Sequence, residues 1–223
     1  MKLLEVIVTS VDEACEAEQG GANRLELVSD FASEGLTPKL SIVEQALRAV
    51  SIPVRVMLRE NEGFEIKDDD ELELLKKYAA ELGGLPVNGI VLGFVNNDEV
   101  DSAVMSQLLA CSRTKPATFH RAIESLSDQD SAVAEIRRLP RVDRILTSGG
   151  TGGWSARRNA LERLQKLAAP GIAIVTGGGL DERGLELLAS STVLHEFHVG
   201  RAARDSSNRV QSSAIRRLRV LLG

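Results

Sequence analysis

Two kinds of segment alternate along the chain. Apolar, β-branched segments of strand length lie at residues 3–8, 24–28, 53–59, 87–94, 116–121, 142–148, 171–176 and 194–199. Between them, apolar residues recur at spacings of three and four, which predicts helices at 11–19, 40–50, 69–82, 101–111, 128–139, 155–169, 181–189 and 210–222. Asp69, Asp101, Asp128 and Asp181 stand where a helix takes its N-cap. The pattern therefore predicts eight strands, each followed by a helix.

This count favours a (β/α)8 barrel, with units of about 28 residues. A doubly wound open sheet has the same alternation, because periodicity does not report closure. Two observations favour the barrel: no G-x-G-x-x-G follows the first strand, and polar residues occupy the inward positions of several strands. No linker interrupts the pattern, so residues 1–223 are predicted to form a single α/β TIM-barrel domain. The acidic stretch 60–70 is predicted to be a long loop.

Composition excludes several classes of function. The 27 basic and 32 acidic residues give a net charge of −5, which provides no bulk attraction to nucleic acid or membranes. No apolar run approaches the ~18 residues that span a bilayer, and Glu5 interrupts the apolar stretch that a signal peptide needs. Two cysteines, Cys15 and Cys111, are too few for a disulfide framework and suit a reducing cytoplasm. The expected partner is a small molecule or a metal ion.

Charged side chains cluster at the predicted carboxyl ends of the strands, where barrel enzymes carry their working residues. Because side chains alternate along a strand, the inward faces are expected to hold Glu5, Glu26, Arg59, His120 and His198 together. Buried charges must be paired or must bind a ligand. One interpretation is an internal ion-pair lattice that joins Glu5 and Glu26 to Arg55 and Arg59. The other is a functional site.

Two kinds of chemistry suit a functional site there. Imidazole titrates near neutral pH, so His120 is a candidate acid or base beside Glu26, with Arg59 and Glu5 in the same catalytic site. Two histidines with two carboxylates are also a ligand set for a divalent cation, with His120 and His198 as the candidate ligands. No lysine lies at a strand carboxyl end, which argues against a Schiff-base aldolase. The sequence contains no P-loop, H-E-x-x-H or C-x-x-C motif.

Glycine-rich segments follow the last three strands. They contain Ser148, Gly149 and Gly150, then Gly177, Gly178 and Gly179, and finally Gly200 with Arg201 at the start of a predicted short helix. Backbone amides in such loops bind anions, and barrels often hold phosphate after their seventh and eighth strands. These residues are therefore a predicted anion site. The alternatives are that the glycines only permit tight turns, or that they bind a neutral polar ligand.

The sequence resembles the CutC family of copper homeostasis proteins. The motifs run in order from about residue 3 to 204 and are LEV at 4–6, EQGGANRLEL at 18–27, EGLTP at 34–38, VMLR at 56–59, TFHRA at 118–122, RILTSGG at 144–150, GGG at 177–179 and EFH at 196–198. The resemblance implies a (β/α)8 barrel in the cytoplasm and self-association into a homo-oligomer such as a dimer. It also implies copper handling, with copper as the bound ion.

The sequence departs from the family pattern at positions that matter for copper. The family commonly has a cysteine after Leu-Glu-Val and another after the strand-two Glu-Leu, where this chain has Ile7 and Val28. The usual Arg-Pro-Arg after the third strand is replaced by Arg59-Glu60-Asn61. Thiolates are the ligands that select Cu(I). Two interpretations follow: a copper homeostasis protein without the usual cysteine ligands, or an enzyme that acts on a small anionic or phosphorylated substrate by acid–base chemistry.

Overall fold

Eight parallel strands close into a barrel in the computed structural model, which describes residues 2–33 and 35–223. In chain order the barrel strands are β1 (Leu3–Val8), β2 (Arg24–Leu27), β3 (Val54–Met57), β4 (Gly89–Leu92), β7 (Ala117–Phe119), β8 (Val142–Thr147), β9 (Ala173–Thr176) and β10 (Glu196–Val199). Strand β10 pairs with β1 and completes the circle. The predicted barrel is confirmed and the open sheet is excluded. Met1 and Glu34, the first residue of the EGLTP motif, lie outside the described residues.

Among the described residues, eight α-helices surround the barrel. They are α1 (Val11–Gln19), α2 (Leu40–Ala49), α3 (Asp69–Gly84), α4 (Ser102–Cys111), α5 (Gln129–Ile136), α6 (Trp154–Ala168), α7 (Glu182–Ala189) and α8 (Ser212–Leu222). Asp101, Asp128 and Asp181 are N-caps, as predicted. The prediction for Asp69 is wrong, because the side chain of Asp68 accepts the capping hydrogen bond and Asp69 is the first helical residue. Adjacent aspartates have the same capping chemistry, so sequence alone does not choose between them.

Alternation along the strands separates an apolar layer from a polar interior. On β1, Leu4, Val6 and Val8 are fully buried in the hydrophobic core that the helices cover. The intervening Glu5 is also buried and pairs with Arg24 of β2 inside the barrel. The predicted strand faces are therefore confirmed at these positions. None of the described helices is long and apolar enough to cross a membrane.

Several strands are shorter than predicted, and this places key residues at the barrel mouth. Strand β3 ends at Met57 and β7 ends at Phe119. His120 still donates its backbone N–H to the Leu92 carbonyl at 3.0 Å, just beyond the last strand residue. Arg59 and His120 therefore stand where the chain leaves the sheet. The predicted loop at 60–70 is confirmed up to Asp68, the N-cap of α3.

Two local features were not predicted. A hairpin of β5 (Val95–Asn96) and β6 (Glu99–Val100) follows β4. Its two turn residues, Asn97 and Asp98, have φ values of 51° and 62°, which suits a tight hairpin. Between β7 and β8, the pairing passes from Ala117–Val142 to Thr118–Arg144, and Asp143 lies in a bulge between them.

Candidate functional site

A cavity of about 670 Å³ opens at the carboxyl end of the barrel. This volume lies within the roughly 300–1,000 Å³ typical of small-molecule sites. Eight of the predicted site residues line it: Glu26, Arg59, His120, Gly178, Gly179, His198, Gly200 and Arg201. Other lining residues were not predicted, and they are Ile7, Phe31, Ala32, Met57, Phe64, Arg121, Leu146 and Asn208. The loops that contribute Phe31 and Phe64 carry no sequence motif that would have identified them.

A chain of salt bridges fills the barrel interior toward the amino ends of the strands. Its members, in order, are Arg55, Asp143, Arg144, Glu196, Arg24 and Glu5. Arg55 binds both carboxylate oxygens of Asp143, at 2.8 and 2.7 Å. Arg24 joins Glu196, at 2.6 Å, to Glu5. Three arginines alternate with three carboxylates, so the formal charges of this lattice cancel.

The predicted ion-pair lattice is therefore present, with different members. Glu5 and Arg55 belong to it, but their partners are Arg24 and Asp143. Arg59 instead donates to the backbone carbonyls of Gly35 and Gly63, at 3.4 and 3.2 Å, and its guanidinium lies 4.9 Å from the Phe64 ring centroid. It connects two loops at the cavity wall.

Glu5 lies below the cavity and does not line it. Its Oε2 accepts from Arg24, and its Oε1 lies 2.8 Å from His198 Nδ1. Burial raises the pKa of Glu5, but the Arg24 guanidinium and His198 outweigh that effect and hold the pKa well below its usual range. Glu5 is therefore ionised at neutral pH. Glu5 therefore holds His198 from below the open cavity, and its Oε1 faces the same side as the imidazole.

Glu26 has the opposite environment at the cavity floor. The side chain is 2% exposed, and among the described residues no hydrogen bond reaches its Oε2. His198 Nδ1 lies 3.7 Å from that oxygen. Burial raises the pKa of Glu26 to about 7 against the attraction of His198. Glu26 is thus a buried carboxyl group that exchanges its proton near neutral pH.

His198 stands between the two glutamates. Burial lowers its pKa, but the Glu26 and Glu5 carboxylates reverse this effect, so the pKa lies above its usual value. Because the lattice is neutral without them, Glu26 and His198 form the remaining acid–base pair. One ligand atom each from Glu5, Glu26 and His198 lie within 4.8 Å of one another. These three are a candidate site for a cation.

The surroundings of His120 keep its ring neutral. Its Nδ1 accepts the backbone N–H of Ala122 at 3.2 Å, which places the proton of the neutral ring on Nε2. Burial, with the nearby charges of Arg59 and Arg121, lowers the pKa of His120 to about 3. The ring is neutral at pH 7, so it donates a hydrogen bond and does not accept a proton. His198, and not His120, is the histidine beside Glu26.

Gly178 and Gly179 present unused backbone donors to the cavity. Their φ values of 81° and 85° require glycine. Within the described part of the chain, no hydrogen bond reaches either N–H. Gly200 lies nearby, and an added Cβ would approach Phe31 to 2.8 Å. The side chain of Arg201 is exposed and makes no ion pair with the described residues.

The other half of the predicted anion site lies outside the cavity lining. The Ser148 N–H donates to the Glu124 carboxylate, and the Gly149 N–H donates to Thr147 Oγ1 at 3.1 Å. The Gly177 N–H donates to the Thr147 carbonyl at 3.0 Å. The N–H groups of these three residues are thus occupied. Gly150 does not line the cavity either. The structure therefore leaves no free N–H for an anion at Ser148, Gly149 or Gly177, and anion binding at Gly150 stays a prediction.

The sequence model of the CutC family matches residues 2–203. This chain belongs to the CutC family. The copper homeostasis protein cutC homolog of Homo sapiens is 34% identical over 217 residues, which are 96% of this chain and 78% of the human protein. The family protein CutC of Vibrio atlanticus (strain LGP32) is 34% identical over 95% of this chain and 87% of its own length.

The CutC fold is also shared with a solved structure. The crystal structure of a CutC protein from Streptococcus agalactiae aligns with a TM-score of 0.82 and 24% identity, and covers 89% of this chain and 98% of that one. At this identity the match supports the fold alone. The match agrees with the closed barrel described above.

This CutC-family member has apolar side chains where the resemblance implies cysteines. Ile7 lines the cavity, and Val28 is buried beside it in a small cluster with Met57 and Val91. The two cysteines of the chain lie elsewhere: Cys15 is exposed in α1, and Cys111 is half-buried at the end of α4. No thiol of the described residues therefore lines the mouth cavity.

We expect that Cys15→Ser combined with Cys111→Ser leaves the Cu(I) affinity unchanged. Tight Cu(I) binding needs converging thiolates, and these two cysteines lie on different helices. The measurement is a competition titration against a chromophoric Cu(I) chelator. The variant Ile7→Cys with Val28→Cys is the positive control, because it places two thiols in one packed cluster. A large loss of affinity in the double serine variant would contradict the prediction.

Proposed function

We propose that this CutC-family protein handles copper in the cytoplasm, and that the floor of the mouth cavity is its metal site. Glu26 and His198 are the principal ligands, and Glu5 Oε1 is the third. The observation that carries the proposal is the buried, unpaired Oε2 of Glu26 beside the His198 imidazole. The names of the relatives supply the cellular role. Two free cysteines suit a reducing compartment.

The donor set fits a divalent ion. Imidazole nitrogen and carboxylate oxygen suit Cu(II) and Zn(II), and Cu(II) binds such sites most strongly among the first-row divalent metals. Ligand atoms that lie about 2.0–2.2 Å from an ion are roughly 3–4 Å apart. The three candidate atoms already lie within 4.8 Å of one another. Only a small contraction of the site is needed.

Charge also favours a cation here. The lattice below is neutral, and Oε2 of Glu5 remains paired with Arg24. Its Oε1 is the atom that faces His198. A metal ion that binds Nδ1 of His198 replaces the proton now held between these groups. The Glu26 carboxylate then gains the partner that it lacks in the protein alone.

The test is a Cu(II) titration of the protein and of two variants. Glu26→Gln removes a charged ligand at almost constant volume, and we expect it to lower the Cu(II) affinity about 10- to 100-fold. His195→Gln is the matched control, because His195 is exposed at the opposite end of β10. Its affinity should equal that of the unmodified protein. Equal losses in both variants would show that Cu(II) binds surface histidines, and no loss in Glu26→Gln would exclude this site.

A second function is favoured by a separate observation. The pKa of Glu26, raised to about 7 by burial, suits a general acid or base that works at neutral pH. His120 Nε2 would donate a hydrogen bond to a carbonyl or hydroxyl group of a substrate. This supports acid–base chemistry on a small anionic substrate, with His198 in the place predicted for His120.

A further inference from the structure

We propose that the mouth cavity binds a small organic phosphate. The phosphate group contacts the N–H groups of Gly178 and Gly179 and the guanidinium of Arg201, and the hydroxyl or carbonyl groups of the same molecule contact Glu26 and His120. The anion subsite shares no residue with the metal ligands Glu5, Glu26 and His198. Binding of the phosphate group can therefore be tested separately from copper binding, whereas the organic part of the ligand shares Glu26 with the proposed metal site.

Gly178 and Gly179 form a backbone turn of the kind that binds anions. Successive backbone N–H groups in a turn with positive φ form a concave donor surface, and glycine allows close approach. An added Cβ on Gly178 would lie 2.9 Å from Ser148 Cβ and 3.0 Å from Arg121 Nε. The Arg121 guanidinium therefore lies against this backbone, where it adds positive charge while it also binds Glu124 at 2.8 Å.

Arg201 supplies a second source of positive charge on the same rim. It lines the cavity together with Gly178, Gly179 and Gly200, and in the described part of the chain its side chain has no carboxylate partner. Arginine with backbone N–H groups is a common combination for phosphate oxygens. A phosphate group offers three acceptor oxygens to these donors, one more than a carboxylate.

The inner wall of the cavity favours an organic phosphate over inorganic phosphate. Among the described residues, no hydrogen bond involves the buried Oε2 of Glu26 or the buried Nε2 of His120, and both residues line the cavity. Leaving such groups without partners is costly, so a ligand that satisfies them gains affinity. Oε2 of Glu26 accepts a hydrogen bond or shares a proton, and Nε2 of His120 donates a hydrogen bond. A polyhydroxyl or carbonyl compound has groups that match both.

The first experiment uses inorganic phosphate as the probe, with metal-free protein. We expect phosphate to raise the melting temperature and to bind with a Kd that Arg201→Gln increases about tenfold. Arg138→Gln removes the same charge from an exposed residue just beyond α5, outside the cavity lining, and should leave the Kd unchanged. No shift of the melting curve up to about 50 mM phosphate, or equal losses in the two variants, would overturn the proposal.

The second experiment tests the organic part. We expect ribose 5-phosphate or glycerol 3-phosphate to bind at least about tenfold more tightly than inorganic phosphate, which corresponds to about 1.4 kcal/mol. Glu26→Gln should reduce that advantage and leave the affinity for inorganic phosphate unchanged. If both organic phosphates bind no more tightly than inorganic phosphate, the proposed contacts with Glu26 and His120 are wrong. Copper titrations do not enter either result.

Discussion

Glu5→Gln lowers the free energy of unfolding by about 3–5 kcal/mol, since it leaves the buried Arg24 without its closest carboxylate. For a chain of this length, 1 kcal/mol corresponds to roughly 2–4 °C, so the melting temperature should fall by roughly 6–20 °C. Urea and thermal unfolding at pH 7 measure the effect. Because Arg24 and His198 lower the pKa of Glu5 in the folded protein, its contribution is present above the unfolded pKa of 4.5. It is lost as the pH falls below that value toward the folded pKa.

Glu26→Gln is the matched control, since it makes the same chemical change on the neighbouring strand. Burial raises the pKa of Glu26 to about 7 from 4.5, so the folded protein holds this proton more tightly than the unfolded chain. Stability therefore falls as the pH rises from 4.5 through 7. Glutamine does not ionise, so Glu26→Gln should leave the free energy of unfolding nearly unchanged at pH 5 and should raise it at pH 8. Equal destabilisation by the two variants at pH 8 would show that Glu26 is also held in the lattice.

The Cu(II) affinity should rise as the pH increases through neutrality, by about tenfold per pH unit for each proton that the bound ion displaces. The ligands Glu26 and His198 share a proton, and both pKa values are raised, that of Glu26 to about 7. Below about pH 7 a bound ion must displace the proton of Glu26, and above that pH the Glu26 carboxylate is already ionised. Calorimetry in buffers of different ionisation enthalpy counts the protons released.

The matched variants separate this site from other copper ligands. His195→Gln should reproduce the pH profile of the unmodified protein, because His195 is exposed and distant from the mouth. Glu26→Gln should bind Cu(II) more weakly at every pH. An affinity that does not change between pH 6 and 8 would contradict binding at the Glu26–His198 pair.

The barrel itself was predictable from the chain, because its information is local. Alternation of Leu4, Glu5 and Val6 sends apolar and charged side chains to opposite faces of a strand, whatever its neighbours. The helix caps at Asp101, Asp128 and Asp181 are short-range as well. The same alternation along each strand predicted that Glu26, Arg59, His120 and His198 lie on inward faces at the strand ends. The count of eight strand–helix units predicted the closed barrel.

Contacts between segments that are distant in sequence determine whether each predicted backbone N–H is free to bind an anion. Ser148 and Gly179 both follow strands in glycine-rich loops, and nothing local separates them. In the structure, the turn after β7 brings the Glu124 carboxylate to the Ser148 N–H. Among the described residues, no side chain accepts a hydrogen bond from the Gly179 N–H. The Ser148 N–H is therefore occupied for a reason that lies 24 residues away in sequence.

Local patterns along the chain specify the barrel, the inward set of charges and the glycine loops at its mouth. Contacts between strands specify which of these charges remain for a ligand. The β1–β2 register sets Glu5 opposite Arg24 and sets Glu26 opposite Ile7. On its other side Glu26 faces Arg55, but the bulged Asp143 binds that guanidinium. The two glutamates are alike in sequence, but strand register and the β8 bulge give Glu5 a salt bridge with Arg24 and leave Oε2 of Glu26 buried without a hydrogen bond among the described residues.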